Sequence, residues 1–244
     1  MRKKQTLLWI FSALFIGIEI TLGVLLQISS GRTAELFSFG AVVLCFLFCF
    51  FFFDRSKEYI FTQTALLFTV GADYCLVYSR TPFRVTAMCF FLVVQTAYFA
   101  RLYISDESAV RRKWQIITHA IGSVLMLAVT VFVLGEKTDV LSAISMLYYI
   151  NLILNLVFAF TQWKKNPVFA IGLLLFILCD TVVGLGVLEE YFSIAEDSML
   201  YRVIEPGFNL AWAFYLPSQV LLTLSLLCTR FHKEKSESFR TCFL

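Results

Sequence analysis

Long apolar runs alternate with short polar segments along this chain. The runs fall at residues 7–28, 36–53, 59–78, 85–103, 114–134, 140–162, 167–188 and 207–229. Each is long enough to cross a hydrocarbon core of about 30 Å as an α-helix rising about 1.5 Å per residue. Polar punctuation separates them at Ser29 to Glu35, Asp54 to Glu58, Ser79 to Arg84, Ile104 to Lys113, Gly135 to Asp139, Trp163 to Asn166 and Glu189 to Pro206. No run shows the period-two alternation of a membrane barrel strand. The pattern predicts an all-α polytopic membrane bundle of eight transmembrane helices. In the last and longest gap, Phe192 to Ile204 is expected to form a short interfacial helix with Glu196, Asp197 and Arg202 facing water. No internal repeat is strong enough to indicate an inverted-repeat transporter.

Composition supports this reading and limits it to one domain. Hydrophobic residues make up 59% of the chain and charged residues 15%, with a mean hydropathy of +0.81, whereas a soluble domain carries about a quarter charged residues. At about 20 residues per crossing, the 244 residues hold at most about eight or nine short-looped spans and leave no room for a separate soluble domain. Residues 1–244 are therefore expected to be a single membrane domain. The first run, preceded by Arg2, Lys3 and Lys4, is longer than a signal-peptide core and contains Glu19, so it is expected to stay as the first helix.

Charge placement orients the bundle. With the N terminus inside, fifteen of the twenty Lys and Arg residues fall on the cytoplasmic side, leaving Arg32, Arg80, Arg84, Lys137 and Arg202 opposite. This positive-inside bias supports both the helix count and an orientation with both termini in the cytoplasm. Six cysteines, Cys45, Cys49, Cys75, Cys89, Cys179 and Cys228, lie in apolar runs without a CxxC pair and are expected to act as small hydrophobes. Cys242 is one position too late for a prenylation box. The phenylalanine-rich stretch Phe46 to Phe53 is expected to face lipid.

Three carboxylic residues sit well inside predicted spans: Glu19, Asp73 and Asp180. A carboxylate in hydrocarbon is costly and usually faces a protein interior or wet cavity. No Lys or Arg is expected at the same depth, so these groups are either protonated or share hydrogen-bond donors and water. Helices three and seven run in the same direction, which puts Asp73 and Asp180 within about 4 to 5 Å of each other along the membrane normal. Gln95, Tyr98, Tyr148, Tyr149, Asn151, Trp212, Tyr215 and Gln219 arrive in a similar layer. Asn155 and Ser225 are expected to join helices by hydrogen bonds.

Several chemistries are excluded. His119 and His232 are the only histidines, and neither has metal-ligand neighbours, so an HExxH zinc hydrolase is ruled out. A Ser-His-Asp triad is poorly supported because His119 lies near the opposite end of the bundle from both Asp residues. The fragment Gly184 to Gly186 follows no strand and carries no nucleotide signature. The basic residues follow membrane topology instead of a nucleic-acid motif, so no nucleic-acid partner is expected. Two carboxyl groups with nearby aromatics remain. They suit an acid and base pair, proton carriage in a transporter or lipid-binding protein, or structural bonding, and the residues alone do not separate these.

The segments around these residues carry a resemblance. FTVGADYCLVY at Phe68 to Tyr78, LLLFILCDTVVGL at Leu173 to Leu185, WAFYLPSQVLLTLS at Trp212 to Ser225 and VVQTAYFARLY at Val93 to Tyr103 resemble, in order and spacing, segments of the YhhN family of eight-helix membrane proteins. The best-described activity of that family is lysoplasmalogenase. Two positions depart from its pattern: Ala72 separates Gly71 from Asp73, and Gln95 stands where a histidine is more common.

The resemblance implies hydrolysis of the vinyl-ether bond of a lysoplasmalogen to a fatty aldehyde and a glycerophospho-alcohol. The substrate would be a lysophospholipid with a vinyl-ether chain, drawn from membrane lipid, and the expected location is a bacterial cell membrane. Protonation of the β carbon gives an oxocarbenium ion, water captures it, and the hemiacetal collapses. The expected catalytic pair is Asp73 and Asp180, one giving the proton and the other orienting water or stabilising the cation. Glu19, Gln95, Tyr98, Tyr148, Asn151, Trp212, Tyr215 and Gln219 are the expected pocket residues, with the aromatic groups facing the cation. The scheme requires no metal and no cofactor.

Overall fold

A computed structural model describes residues 2–52, 56–79, 83–188 and 208–241. The expected interfacial helix at Phe192 to Ile204 and the position of Cys242 lie outside the described residues. The helices are α1 (Arg2–Ile28), α2 (Gly31–Phe48), α3 (Lys57–Asp73), α4 (Arg84–Ser105), α5 (Ala109–Leu134), α6 (Val140–Thr161), α7 (Pro167–Leu188) and α8 (Leu210–Thr241). Short tight turns extend α2 at Cys49–Phe52 and α5 at Gly135–Lys137, and a wider turn extends α3 at Tyr74–Tyr78. Among the described residues, eight helices are long and apolar enough to cross a membrane. The protein is an all-α polytopic bundle.

Polar residues at the helix starts satisfy amides that have no partner within their own helix. The Ser56 hydroxyl accepts from the Tyr59 amide and opens α3, and Ser108 does the same for Arg111 in α5. Asp139 and Ser142 form a reciprocal capping box at α6, with bonds of 2.7 and 3.0 Å. Asn166 accepts from the Phe169 amide at 3.0 Å, and Pro167 opens α7 where a missing N–H costs nothing. Between α4 and α5 the fully buried Asp106 carboxylate takes a fork from Arg111 at 2.8 and 2.9 Å and the Ser108 amide at 2.8 Å. Burial works against this carboxylate, but the Arg111 bonds, the Ser108 amide and the Arg111 charge outweigh it and hold Asp106 below its ordinary pKa.

Six helices surround the interior. Helix α2 packs on α3, α3 on α4, α4 on α6, α6 on α7 and α7 on α8, and α8 returns to α2 and α3. Helix α1 lies outside against α2 and α8, and α5 lies outside against α6. These two outer helices present large apolar side chains to lipid, including Ile20, Val24, Val124, Leu125 and Phe132. In hydrocarbon no hydrophobic force draws helices together, so close approach through small residues carries much of the packing. A Cβ on Gly172 of α7 would come within 3.0 Å of the Leu222 side chain and 3.2 Å of its backbone nitrogen in α8. A Cβ on Gly71 of α3 would meet the Phe90 ring of α4 at 3.2 Å.

The main core cluster combines residues of α3, α4, α6, α7 and α8, among them Phe91, Val94, Leu152, Leu173, Phe176 and Leu222. A second cluster joins Phe15, Cys45, Phe48, Tyr59, Leu66 and Leu226 nearer the N terminus. The phenylalanine-rich stretch therefore divides its roles. Phe50 and Phe51 are exposed, as a lipid-facing stretch requires, but Phe48 is buried and stacks on Phe15 at 4.1 Å. The turn at Cys49–Phe52 has a period near three, which points neighbouring rings in different directions. Of the cysteines expected in the core, Cys89 is exposed.

Two outcomes are expected for purified protein in detergent. Asp106→Asn lowers the melting temperature at neutral pH. Because the native carboxylate has a depressed pKa, the deficit is full above about pH 4 and shrinks as the pH falls further; a constant deficit at all pH values would contradict the ionic origin. Gly172→Val costs about 1–3 kcal/mol by forcing α7 from α8, whereas Gly184→Ala, where a Cβ meets nothing within 4 Å, leaves the melting temperature equal or higher.

Candidate functional site

Two tyrosine–carboxyl pairs form in the interior, each across two helices. The Tyr215 hydroxyl of α8 donates to Oδ2 of Asp73 at the end of α3, at 2.8 Å. The Tyr148 hydroxyl of α6 donates to Oδ2 of Asp180 in α7 through a very short bond. Asp73, Tyr148 and Tyr215 are buried and Asp180 is half-buried. A phenol can donate only one proton, so each tyrosine binds one carboxyl oxygen and leaves capacity on the other.

Aromatic rings connect the pairs. Tyr148 contacts Phe91 at 5.5 Å between centroids, Phe91 meets Phe176 edge-on at 6.1 Å, and Phe176 meets Tyr215 edge-on at 5.6 Å. Trp212 then packs edge-on against Tyr215 at 5.1 Å. These distances suit favourable edge-to-face packing. Both carboxyls thus belong to one aromatic-walled region formed by α3, α4, α6, α7 and α8.

Local backbone geometry helps place Asp73. Directly after it the helix widens over Tyr74–Tyr78, and the Ser79 amide reaches back five residues to the Tyr74 carbonyl at 2.8 Å. Such π-turns recur at functional sites because they change which way the following residues face. Here Tyr78 turns toward α2 and stacks on Phe39 at 4.9 Å, with the Arg32 guanidinium 4.1 Å above its ring. Near Tyr148, the Tyr149 hydroxyl bonds Thr181 at 2.8 Å and adds a second link between α6 and α7.

Of the expected pocket residues, Tyr148 and Tyr215 bond the carboxyls and Trp212 packs on Tyr215. Glu19 is buried beside Cys45, whose thiol donates to it at 3.5 Å, and its Oε2 has no partner among the described residues. Gln95 accepts from Asn155 at 3.0 Å, and Asn155 also meets His119 at 3.2 Å. Tyr98 packs edge-on to Phe169 at 5.4 Å. Asn151 turns toward α5 and donates to Ser123 at 3.2 Å. Gln219 is buried and donates to the adjacent Ser218. Residues at one depth point in different directions around their helix axes, so Glu19 meets Cys45 of α2, Asn151 meets Ser123 of α5 and Gln95 meets Asn155 of α6.

Asn155 and Ser225 do join helices. Asn155 donates to the Gln95 carbonyl at 2.9 Å, and Ser225 accepts from Arg101 at 2.8 Å. Arg101 is a buried cation that sequence reasoning counted among the charges of the cytoplasmic side. Its guanidinium lies 4.1 Å above the Phe169 ring and bonds Ser225 and Thr229 of α8. An arginine inside an apolar run, one helical turn from its end, was the available signal. Phe91 and Phe176 were missed because nothing distinguishes a site-forming phenylalanine from other apolar residues in such runs.

Among the described residues no group of three or more His, Cys, Asp or Glu side chains gathers to hold a metal ion. The site's chemistry is that of two carboxyls, two phenols and aromatic faces. No curated protein and no solved structure matches the chain. The YhhN family profile matches residues 36–226, which contain both carboxyls, both tyrosines and every helix that surrounds them except the start of α2 and the end of α8. With that match over most of its length, this membrane bundle belongs to the YhhN family.

Proposed function

We propose that this protein hydrolyses the vinyl-ether bond of lysoplasmalogens inside the membrane, using Asp73 and Asp180 as its acid and base. The observation that carries the reading is the pair of tyrosine-held carboxyls joined by one line of aromatic rings. Family membership supports a lipid-handling role for it. Aldehyde release by this chain, the roles of the two Asp residues and a lysophospholipid substrate are parts of the proposal.

The reaction suits these groups. One carboxyl carries a proton and delivers it to the β carbon of the vinyl ether, creating an oxocarbenium ion. The aromatic faces of Tyr148 and Tyr215 stabilise that cation as it forms. The second carboxylate takes a proton from water as the water oxygen bonds to the cationic carbon. The hemiacetal then gives its hydroxyl proton to the first carboxylate as the carbon–oxygen bond to glycerol breaks, and the departing oxygen takes a proton from the second carboxyl. The sum is vinyl ether plus water giving aldehyde plus alcohol, with both carboxyls restored. Each tyrosine fixes one carboxyl oxygen and so aims the other.

A second reading draws on Glu19, buried with an oxygen that has no partner among the described residues. Together with the Asp pair it would suit a proton-coupled transporter. Aldehyde release separates the readings. Purified wild-type protein is expected to release fatty aldehyde from lysoplasmalogen, and Asp73→Asn and Asp180→Asn are each expected to lose at least about a hundredfold in kcat. Undiminished release in both variants would overturn the mechanism, and proton flux into vesicles without aldehyde release would favour transport. Tyr148→Phe and Tyr215→Phe are expected to lower kcat roughly tenfold to a hundredfold while KM changes little, because each frees a carboxyl the substrate still reaches. A change confined to KM would assign these tyrosines to substrate binding alone.

A further inference from the structure

A cavity of about 420 Å³ opens at the end of the bundle away from the N terminus, where α1, α2, the wide turn after Asp73 and the start of α8 meet. Its volume lies within the range of ligand pockets, about 300–1,000 Å³. Its polar lining includes Gln27, Ser29, Ser30, Glu35, Asn209 and Trp212. Gln27 and Asn209 clasp each other, with the Gln27 side-chain amide donating to the Asn209 carbonyl and the Asn209 backbone amide donating back, both at 2.9 Å. This clasp fixes α1 to the start of α8 and forms a wall of the cavity.

We propose that this cavity receives the ammonium end of a lysophospholipid headgroup, with Glu35 selecting the positive charge and the Trp212 ring packing against it. The inference rests on the hydrolase reading above, and it names the part of the substrate that the carboxyl site does not hold. Among the described residues Glu35 is the carboxylate of the lining, and Trp212 offers the strongest cation-binding ring among the amino acids. Arg32 occupies Oε2 of Glu35 at 2.8 Å, and a carboxylate accepts several further hydrogen bonds. The same Arg32 nitrogen also donates to the Tyr78 carbonyl at 2.7 Å, and the guanidinium lies over the Tyr78 ring, so Arg32 is fixed on one side of Glu35.

Position links the cavity to the reaction. Trp212 lines the cavity and packs on Tyr215, which donates to Asp73. Val77 also lines it, one helical turn beyond Asp73. In a lysophospholipid about nine bonds separate the ether oxygen from the headgroup nitrogen, a reach on the order of 10 Å. In the proposed pose the headgroup lies against Glu35 and Trp212, and the ether extends toward Tyr215 and its partner Asp73.

The test uses full-length protein and saturated alkyl-ether lysolipids, which bind without turnover, bearing either a choline or a glycerol headgroup. Wild type is expected to bind the choline lipid at least about tenfold more tightly, and Glu35→Gln to lose that preference. Arg32→Gln breaks the same ion pair but keeps the carboxylate, so it is expected to retain or increase the preference. Equal loss in both variants would show a structural role for the ion pair and overturn the proposal, as would a wild type indifferent to headgroup. Chain-free phosphocholine is expected to compete weakly, and competition equal to that of the lipid would overturn a lipid headgroup as the occupant. Choline preference that depends on Glu35, in a protein that releases no aldehyde, would keep the pocket and reject the hydrolase reading instead.

Discussion

A carboxyl group inside a membrane bundle must find a hydrogen-bond partner or leave a polar group stranded at a cost of several kcal/mol. Here the partners are tyrosines on neighbouring helices, Tyr215 for Asp73 and Tyr148 for Asp180. The first bond joins helices far apart in the chain, α8 to α3, and the second joins the consecutive helices α6 and α7. The requirement therefore positions four of the six inner helices as well as satisfying two acids. A tyrosine suits this task because its ring packs as an apolar group while its hydroxyl donates, so the same residue closes the bundle and directs the carboxyl.

The rest of the molecule lets those helices approach. Gly172 brings α7 against Leu222 of α8, and Gly71 brings α3 against Phe90 of α4, two residues before Asp73. Toward the other end of α4, Arg101 reaches Ser225 and Thr229, and Asn166 donates to the Ser225 carbonyl at 2.7 Å, tying α4, α7 and α8 together. Helices α1 and α5 cover the bundle on the lipid side and carry few buried residues. At the far end a polar cavity lined by Gln27, Glu35, Asn209 and Trp212 lies where α1, α2 and the start of α8 meet.

The membrane spans were legible because lipid imposes a length and an apolar composition on every crossing helix, and eight runs met both conditions. Asp73 and Asp180 were legible for the converse reason, since a carboxylate stands out in an apolar run. Rotation about each helix axis was not legible. Tyr148 and Asn151 are three residues apart on α6, yet one reaches Asp180 and the other reaches Ser123 of α5. Gln95 shares the depth of the carboxyls but is engaged by Asn155. The wide turn after Asp73 had no composition of its own to reveal it, and Arg101 was hidden by its closeness to a basic loop.

The central claim is that the two tyrosine-held carboxyls protonate and hydrate a vinyl ether. Hydrolysis of lysoplasmalogen by purified protein in D2O, with the aldehyde reduced as it forms, tests that claim by mass. Protonation at the β carbon places one deuterium on the carbon next to the former carbonyl, and that labelled product is expected from wild type and lost in Asp73→Asn and Asp180→Asn. A product without deuterium at that carbon, or equal labelled product from both variants, would contradict it.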